Sequence, residues 1–119
     1  MPDLTNAAEL TDLRNRAMTE REWQNQVLRL ADLYGWRLSY HTHDSRKSPK
    51  GFPDLVLINA TAGRILFLEL KTEKRRPTPE QQIWIAALRG CGLAAHIVRP
   101  SDIDLLHNVL NTRGHKAEI

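Results

Sequence analysis

Two short apolar runs in the middle of the chain, each with an acid at the same end, constrain the fold more than any other feature. Gly51-Phe52-Pro53-Asp54 leads into Leu55 to Ile58, Asn59 to Gly63 follows, and Arg64 to Leu70 is a second run that closes on Glu69-Leu70-Lys71. Runs of this length without polar alternation are strands covered on both faces. The turn-forming residues between them make a hairpin. Centring that turn between Thr61 and Ala62 puts Asp54 directly opposite Glu69, with Lys71 on the same face because side chains two apart on a strand point the same way. A loop with an odd number of residues would turn Asp54 away unless a bulge compensated.

Like charges opposed across an antiparallel pair are destabilising, so this register asks for a positive charge between the acids. A divalent cation meets the need. A purely oxygen ligand set suits Mg²⁺ or Mn²⁺ rather than Zn²⁺, and Mg²⁺ commonly takes one or two carboxylates with water and phosphate completing its shell. Lys71 is then placed to hold an attacking water or to neutralise charge developing on a phosphate. The structural alternative is that Asp54 merely opens a strand and Glu69 pairs with Lys71 as a salt bridge.

At these residues the chain resembles a known family. Gly-Phe-Pro-Asp, fourteen residues, then Glu-Leu-Lys is similar to the metal site of the PD-(D/E)XK nuclease superfamily. More narrowly it resembles the VRR-NUC domain, whose small stand-alone members occur in phages and bacteria. The likeness includes Glu22 on a first helix and Gln81-x-x-Trp84, and spans roughly Thr19 to Asp102. It implies a restriction-endonuclease-like αβββαβ core and hydrolysis of DNA to 3′-hydroxyl and 5′-phosphate ends. It further implies that the Leu70 carbonyl joins Asp54 and Glu69 on the metal, and that Glu22 and Gln81 assist Lys71 in catalysis.

The flanking elements are read from local signals. Residues 1–18 make a weak helix or partly disordered arm, because Leu4, Leu10 and Leu13 are sparse. Thr19-x-x-Glu22 is a capping box, and Trp23, Val27, Leu30, Ala31 and Tyr34 recur at helical spacing until Gly35. Glu22 therefore has two readings, a cap or a metal-site acid, with Gln26 one turn on. Trp36, Leu38 and Tyr40 alternate with polar residues, predicting a half-buried strand. Thr78, Pro79 and Gln81 start another helix with Ile83, Trp84, Ala87 and Leu88 as its buried stripe, and Gln81 is again either a cap or a site residue. A strand over residues 93–98 and a last helix capped by Ser101 complete the order. The tail from Thr112 is expected to fray. Helix, three strands, helix, strand and helix specify an α/β layer with helices on both faces of a mixed sheet. The residues 19–111 form one domain, since 119 residues support a single core.

Charge distribution narrows the partner. The formal charge is +3, but the positive residues bracket the acid pair: Arg46, Lys47 and Lys50 before it, Lys74, Arg75 and Arg76 after it. Such clusters are commonly solvated loops, yet two of them flanking one acidic site suit an approaching polyanion. His41 and Ser45, in a polar loop with interleaved hydroxyls and cations, suit phosphate contact. The His41-Thr42-His43-Asp44 cluster lacks the further ligands that a zinc site needs. No apolar run approaches the length of a membrane span, and no signal peptide is recognisable. A cytoplasmic location, no organic cofactor and a reduced, buried Cys91 are expected.

Taken with the resemblance, these features lead to the expectation of a metal-dependent DNA endonuclease, selective for branched or junction DNA in replication, repair or recombination, although the residues themselves do not distinguish a junction from a flap, a nick or plain duplex. A homodimer is expected, because so small a domain has little surface with which to grip two DNA arms. Two rivals keep the fold and differ in use. One is a catalytically idle nucleic-acid-binding module, which gains nothing from acids facing a phosphate backbone. The other is an interaction protein of a phage or repair assembly, in which the basic loops contact protein.

Overall fold

The hairpin forms in the register that its turn predicts. In the computed structural model, which describes residues 6–42 and 49–112, Leu55 pairs with Leu68, Leu57 with Leu66 and Asn59 with Arg64. The turn is closed by Asn59, whose side-chain oxygen accepts from Ala62 N–H at 3.0 Å, and by Gly63 at a φ of 66° that glycine adopts without strain.

Numbering elements in chain order gives α1 (Ala7–Ala17), α2 (Glu20–Leu33), β1 (Leu38–His41), β2 (Leu55–Asn59), β3 (Arg64–Leu70), α3 (Pro79–Gly90), β4 (Ala94–Val98) and α4 (Ile103–Leu110). A 3₁₀ turn at Pro100–Asp102 precedes α4. The sheet order is β1-β2-β3-β4, antiparallel except for the parallel β3–β4 pair. This is the α/β mixed sheet with flanking helices that the element order specifies. The parallel pair requires the crossover that α3 supplies.

One sheet face carries the main core. Leu55, Leu57, Leu66 and Leu68 are buried against Trp23, Val27 and Ala31 of α2 and Leu106 and Leu110 of α4. Two indoles tie this layer together: Trp23 Nε1 donates to the Val98 carbonyl at 3.1 Å, and Trp36 Nε1 to the Leu110 carbonyl at 2.9 Å. Each bond satisfies a polar atom that burial would otherwise penalise.

The other face is covered less completely than the apolar runs predict. Leu55 and Leu57 are buried while Val56 and Ile58 are only half-buried. Leu38 and Tyr40 are 60% and 59% exposed, so β1 is an exposed edge strand rather than a half-buried one. The reason is coverage: α3 lies over β4 and β3 and leaves the β1 edge bare. The phase of α3 also differs from expectation. Its sheet-facing stripe is Gln81, Trp84, Ile85 and Leu88, and Ile83 is 66% exposed.

Residues 7–17 form a helix capped by Asn6 that buries nothing, the helical alternative for this arm. Two smaller expectations are corrected. Ser101 does not cap α4, because its backbone N–H and hydroxyl bind the Glu73 carboxylate at 2.6 and 3.1 Å. Cys91, at the C-terminal cap of α3, is exposed. The predicted contacts Ser45, Arg46 and Lys47, and most of the tail, lie outside the described residues.

Candidate active site

Beyond the last paired residues of the hairpin, Asp54 and Glu69 arrive at the same end of the sheet. Asp54 is held twice by its own backbone neighbours: its carbonyl accepts from Thr42 N–H at 3.0 Å, and its Oδ2 accepts from Leu70 N–H at 2.9 Å. Glu69 is only 2% exposed. Its Oε1 accepts from Gln81 Nε2 at 2.8 Å and lies 3.7 Å from Lys71 Nζ. Its Oε2 is buried with no hydrogen-bond partner among the described residues.

An orphaned buried carboxylate oxygen is rare in a folded protein and calls for a ligand or a proton. Burial, and after it the negative charge of Asp54, pushes the Glu69 carboxyl up to about 8, against the smaller opposing pull of Lys71. Two carboxylates that repel each other with one lone pair unanswered are a donor set for a hard divalent cation. Asp54, Glu69 and Leu70 all line one cleft of about 660 Å³, so the two acids fit such an ion where they stand. No group of three or more His, Cys, Asp or Glu side chains converges among the described residues, and Mg²⁺ requires no more than a carboxylate pair.

Gln81 is at once a helix cap and a hydrogen-bond partner of Glu69. Its Oε1 accepts from Thr78 N–H at 2.9 Å as the return half of the capping box, which aims its Nε2 at Glu69. Glu22 does not combine the two. Its carboxylate accepts from Thr19 N–H at 3.2 Å, it is exposed, and it does not line the cleft. The cap hydrogen bonds to Thr19 hold its carboxyl below the ordinary range. Its expected assistance at the metal site is therefore corrected. The acid of α2 that faces the cleft is Glu20, two positions earlier. Helical spacing carries the signal: Gln24, four residues beyond Glu20, lines the cleft with it.

The predicted cations divide. Lys71 is in the cleft, 11% exposed, beside Glu69. His41 also lines it, with Nδ1 3.4 Å from Gln24 Nε2. Lys50 is outside and pairs with Glu80 at 3.5 Å. Lys74, Arg75 and Arg76 are exposed on the following loop. That loop is anchored by Glu73 to Ser101 and by Arg99, whose guanidinium donates to the Arg75 carbonyl at 2.9 Å. Arg75 reaches back to Glu20 at 3.6 Å. The sequence reading missed Arg21, Gln24 and Asn25, which line the α2 wall of the cleft.

The loop entering β2 is fastened to α3. Trp84 Nε1 donates to the Lys50 carbonyl at 3.1 Å, and the Phe52 ring stands edge-on to Trp84 and Phe67. Gly51 has a φ of 89°, and a Cβ there would meet the Glu80 carbonyl carbon at 2.5 Å. This close seam sets where Asp54 emerges.

The chain is similar to proteins of one known family. The sequence model of the VRR-NUC domain matches residues 20–102. A solved structure described as "VRR_NUC domain protein" superposes with a TM-score of 0.57 over 78% of this chain and 85% of its own, at 23% identity. No curated protein matches the chain.

Proposed function

The chain belongs to the VRR-NUC domain family, a nuclease family, and from that premise we propose that it is a divalent-metal-dependent DNA endonuclease acting on branched or junction DNA in replication, repair or recombination. The observation that carries the reading is the unpartnered Glu69 Oε2, buried opposite Asp54 in a cleft that also holds Lys71.

Asp54, Glu69 and the Leu70 carbonyl would hold Mg²⁺ or Mn²⁺. When bound, the ion supplies Lewis acidity and lowers the pKa of water. The chain's own residues do the rest. Lys71 places a cation where negative charge grows on the phosphate, and its short reach to Glu69 keeps it aimed at the floor of the cleft. Gln81 donates to Glu69 Oε1, which fixes the carboxylate's rotation and leaves Oε2 as the oxygen that would be offered to a cation. Asp54 is steadied by Leu70 N–H, so both acids are oriented before substrate arrives, and positioning of this kind lowers the barrier without movement at the moment of reaction.

Two copies of the chain would present two clefts to one branched substrate through a two-fold dimer. The uncovered Leu38 and Tyr40 provide an apolar face for it. No helix among the described residues is long and apolar enough to cross a membrane, and a DNA substrate places the activity in the cytoplasm. The test is a panel of labelled linear, nicked, flapped and four-way DNAs incubated with Mg²⁺, Mn²⁺ or EDTA. Cleavage is expected with either metal and absent in EDTA and in Asp54→Asn. Cleavage that persists in EDTA, or in Asp54→Asn, overturns the reading.

A further inference from the structure

Among the described residues, the cations around the site leave its interior with few positive charges. Lys50 is engaged by Glu80, Arg75 by Glu20, and Lys74 and Arg76 stand outside the cleft. Among the residues lining it, Lys71 and Arg21 are the permanent cations. Lys71 faces Glu69 and is nearly buried, so its charge belongs to the floor. Arg21 is exposed on the wall.

Residues at i+3 and i+4 share a helix face, and here they are Gln24 and Asn25, which line the same wall as Arg21. α2 carries Trp23, Val27 and Ala31 into the core, while Arg21 and Asn25 are exposed and Gln24 is half-buried at the border of that stripe. Their chemistry is that of donors: a forked guanidinium and two amides. Phosphate and sugar oxygens are bound by such groups without regard to base sequence. A strand with one phosphate over the acidic floor must rest its neighbouring phosphates elsewhere, because bare carboxylates repel them.

We propose that the cleft face of α2, Arg21 with Gln24 and Asn25, is the wall that holds the DNA strand's sugar–phosphate backbone next to the phosphate to be cut. The assignment rests on the nuclease reading and adds the contact that seats the substrate. Arg21 provides the charge, in a forked geometry suited to phosphate. Gln24 is steadied across the cleft by its approach to His41, and Asn25 extends the wall away from the floor.

The experiment measures binding and cleavage separately. Binding of labelled duplex and four-way DNA to Asp54→Asn is followed by fluorescence anisotropy without metal, across a salt series. Adding Arg21→Ala should weaken binding uniformly across DNA sequences and reduce the slope of log affinity against log salt by about 1. Asn25→Ala should weaken binding with no change of slope. Arg21→Lys should restore the slope. In the parent background, the loss in Arg21→Ala should fall on KM rather than kcat. An unchanged slope and affinity in Arg21→Ala, or a loss of kcat at unchanged affinity, overturns the assignment. Should Arg21→Ala lose helix by circular dichroism, Arg21→Gln removes the charge with a good helix former and carries the same test. A parent that binds DNA but cuts none with Mg²⁺ or Mn²⁺ removes the nuclease reading, while the salt series still decides the wall. An Asp54→Asn protein that binds no DNA overturns both.

Discussion

Glu69 is the residue on which the site turns, because its two oxygens live in different surroundings: one meets Gln81 and Lys71, the other has no hydrogen-bond partner among the described residues. Lys71→Ala removes the cation from the floor and leaves the ligands in place. Turnover should fall by roughly a hundredfold or more, the scale of losing one charge-stabilising donor, with DNA binding retained. Steady-state cleavage, with folding checked by circular dichroism, measures it, and undiminished turnover removes Lys71 from the mechanism. The raised Glu69 carboxyl also makes stability depend on pH. Between its ordinary value of 4.5 and about 8, the folded protein holds a proton that the unfolded chain releases. This group's contribution in EDTA is therefore intact below pH 4.5 and is lost progressively as pH rises to about 8. Urea denaturation should show Glu69→Gln gaining on the parent across that range, and parallel curves would mean that the carboxyl titrates normally. By the same logic Mn²⁺ should raise the melting temperature of the parent. Asp54→Asn, whose amide oxygen still accepts from Leu70 N–H, should melt no lower than the parent in EDTA and ignore the metal. Calorimetry decides, and an unstable variant that still responds fully to Mn²⁺ means the acids are structural.

At the scale of elements, the site is a meeting of the ends of β2 and β3 with the first turns of α2 and α3. The seam between residues 50–52 and α3 keeps that meeting in register. Gly51→Ala puts a side chain into both a left-handed backbone and the Glu80 carbonyl. The dihedral alone costs about 1–3 kcal/mol, and the contact adds to it. Trp84→Phe keeps the ring against Phe52 and loses only the bond to the Lys50 carbonyl, about 1 kcal/mol. Chemical denaturation should therefore rank Gly51→Ala well below Trp84→Phe. Manganese affinity should fall in the same order, since both displace Asp54. If Gly51→Ala matches the parent in both, the seam does not position the site. The capping boxes of α2 and α3 were legible because Thr-x-x-Glu and Thr-x-x-Gln act within four residues. What each box did to the site was not, since a cap turned Glu22 away from the cleft and turned Gln81 towards Glu69.

The whole molecule leaves one side of its sheet open. Leu38 and Tyr40 on the β1 edge, next to the half-buried Val56 and Ile58, form an apolar strip that no helix among the described residues covers. Uncovered edge strands of this kind invite pairing with another chain. If the two-fold dimer uses this strip, Tyr40→Glu should convert it to monomer with little effect on melting temperature. Light scattering at micromolar concentration, free and with four-way DNA, tests this; a parent that is monomeric in both states rules out the dimer.

Turn position, strand pairing, helix starts and the order of elements were determined by the sequence itself, because each depends on neighbours within a few residues or on a two-residue period. The convergence of Asp54, Glu69 and Lys71 was determined as well, since an even turn and strand alternation leave their faces no freedom. Tertiary structure decided what lay beyond that reach: that β1 is bare, that α3 buries Ile85 rather than Ile83 and Ala87, that Glu20 and Arg21 rather than Glu22 line the cleft, and that Lys50 and Arg75 are engaged by acids. Periodicity says that a helix has an apolar face. Only the sheet it packs against, with the area that sheet leaves uncovered, sets the angle at which that face is turned.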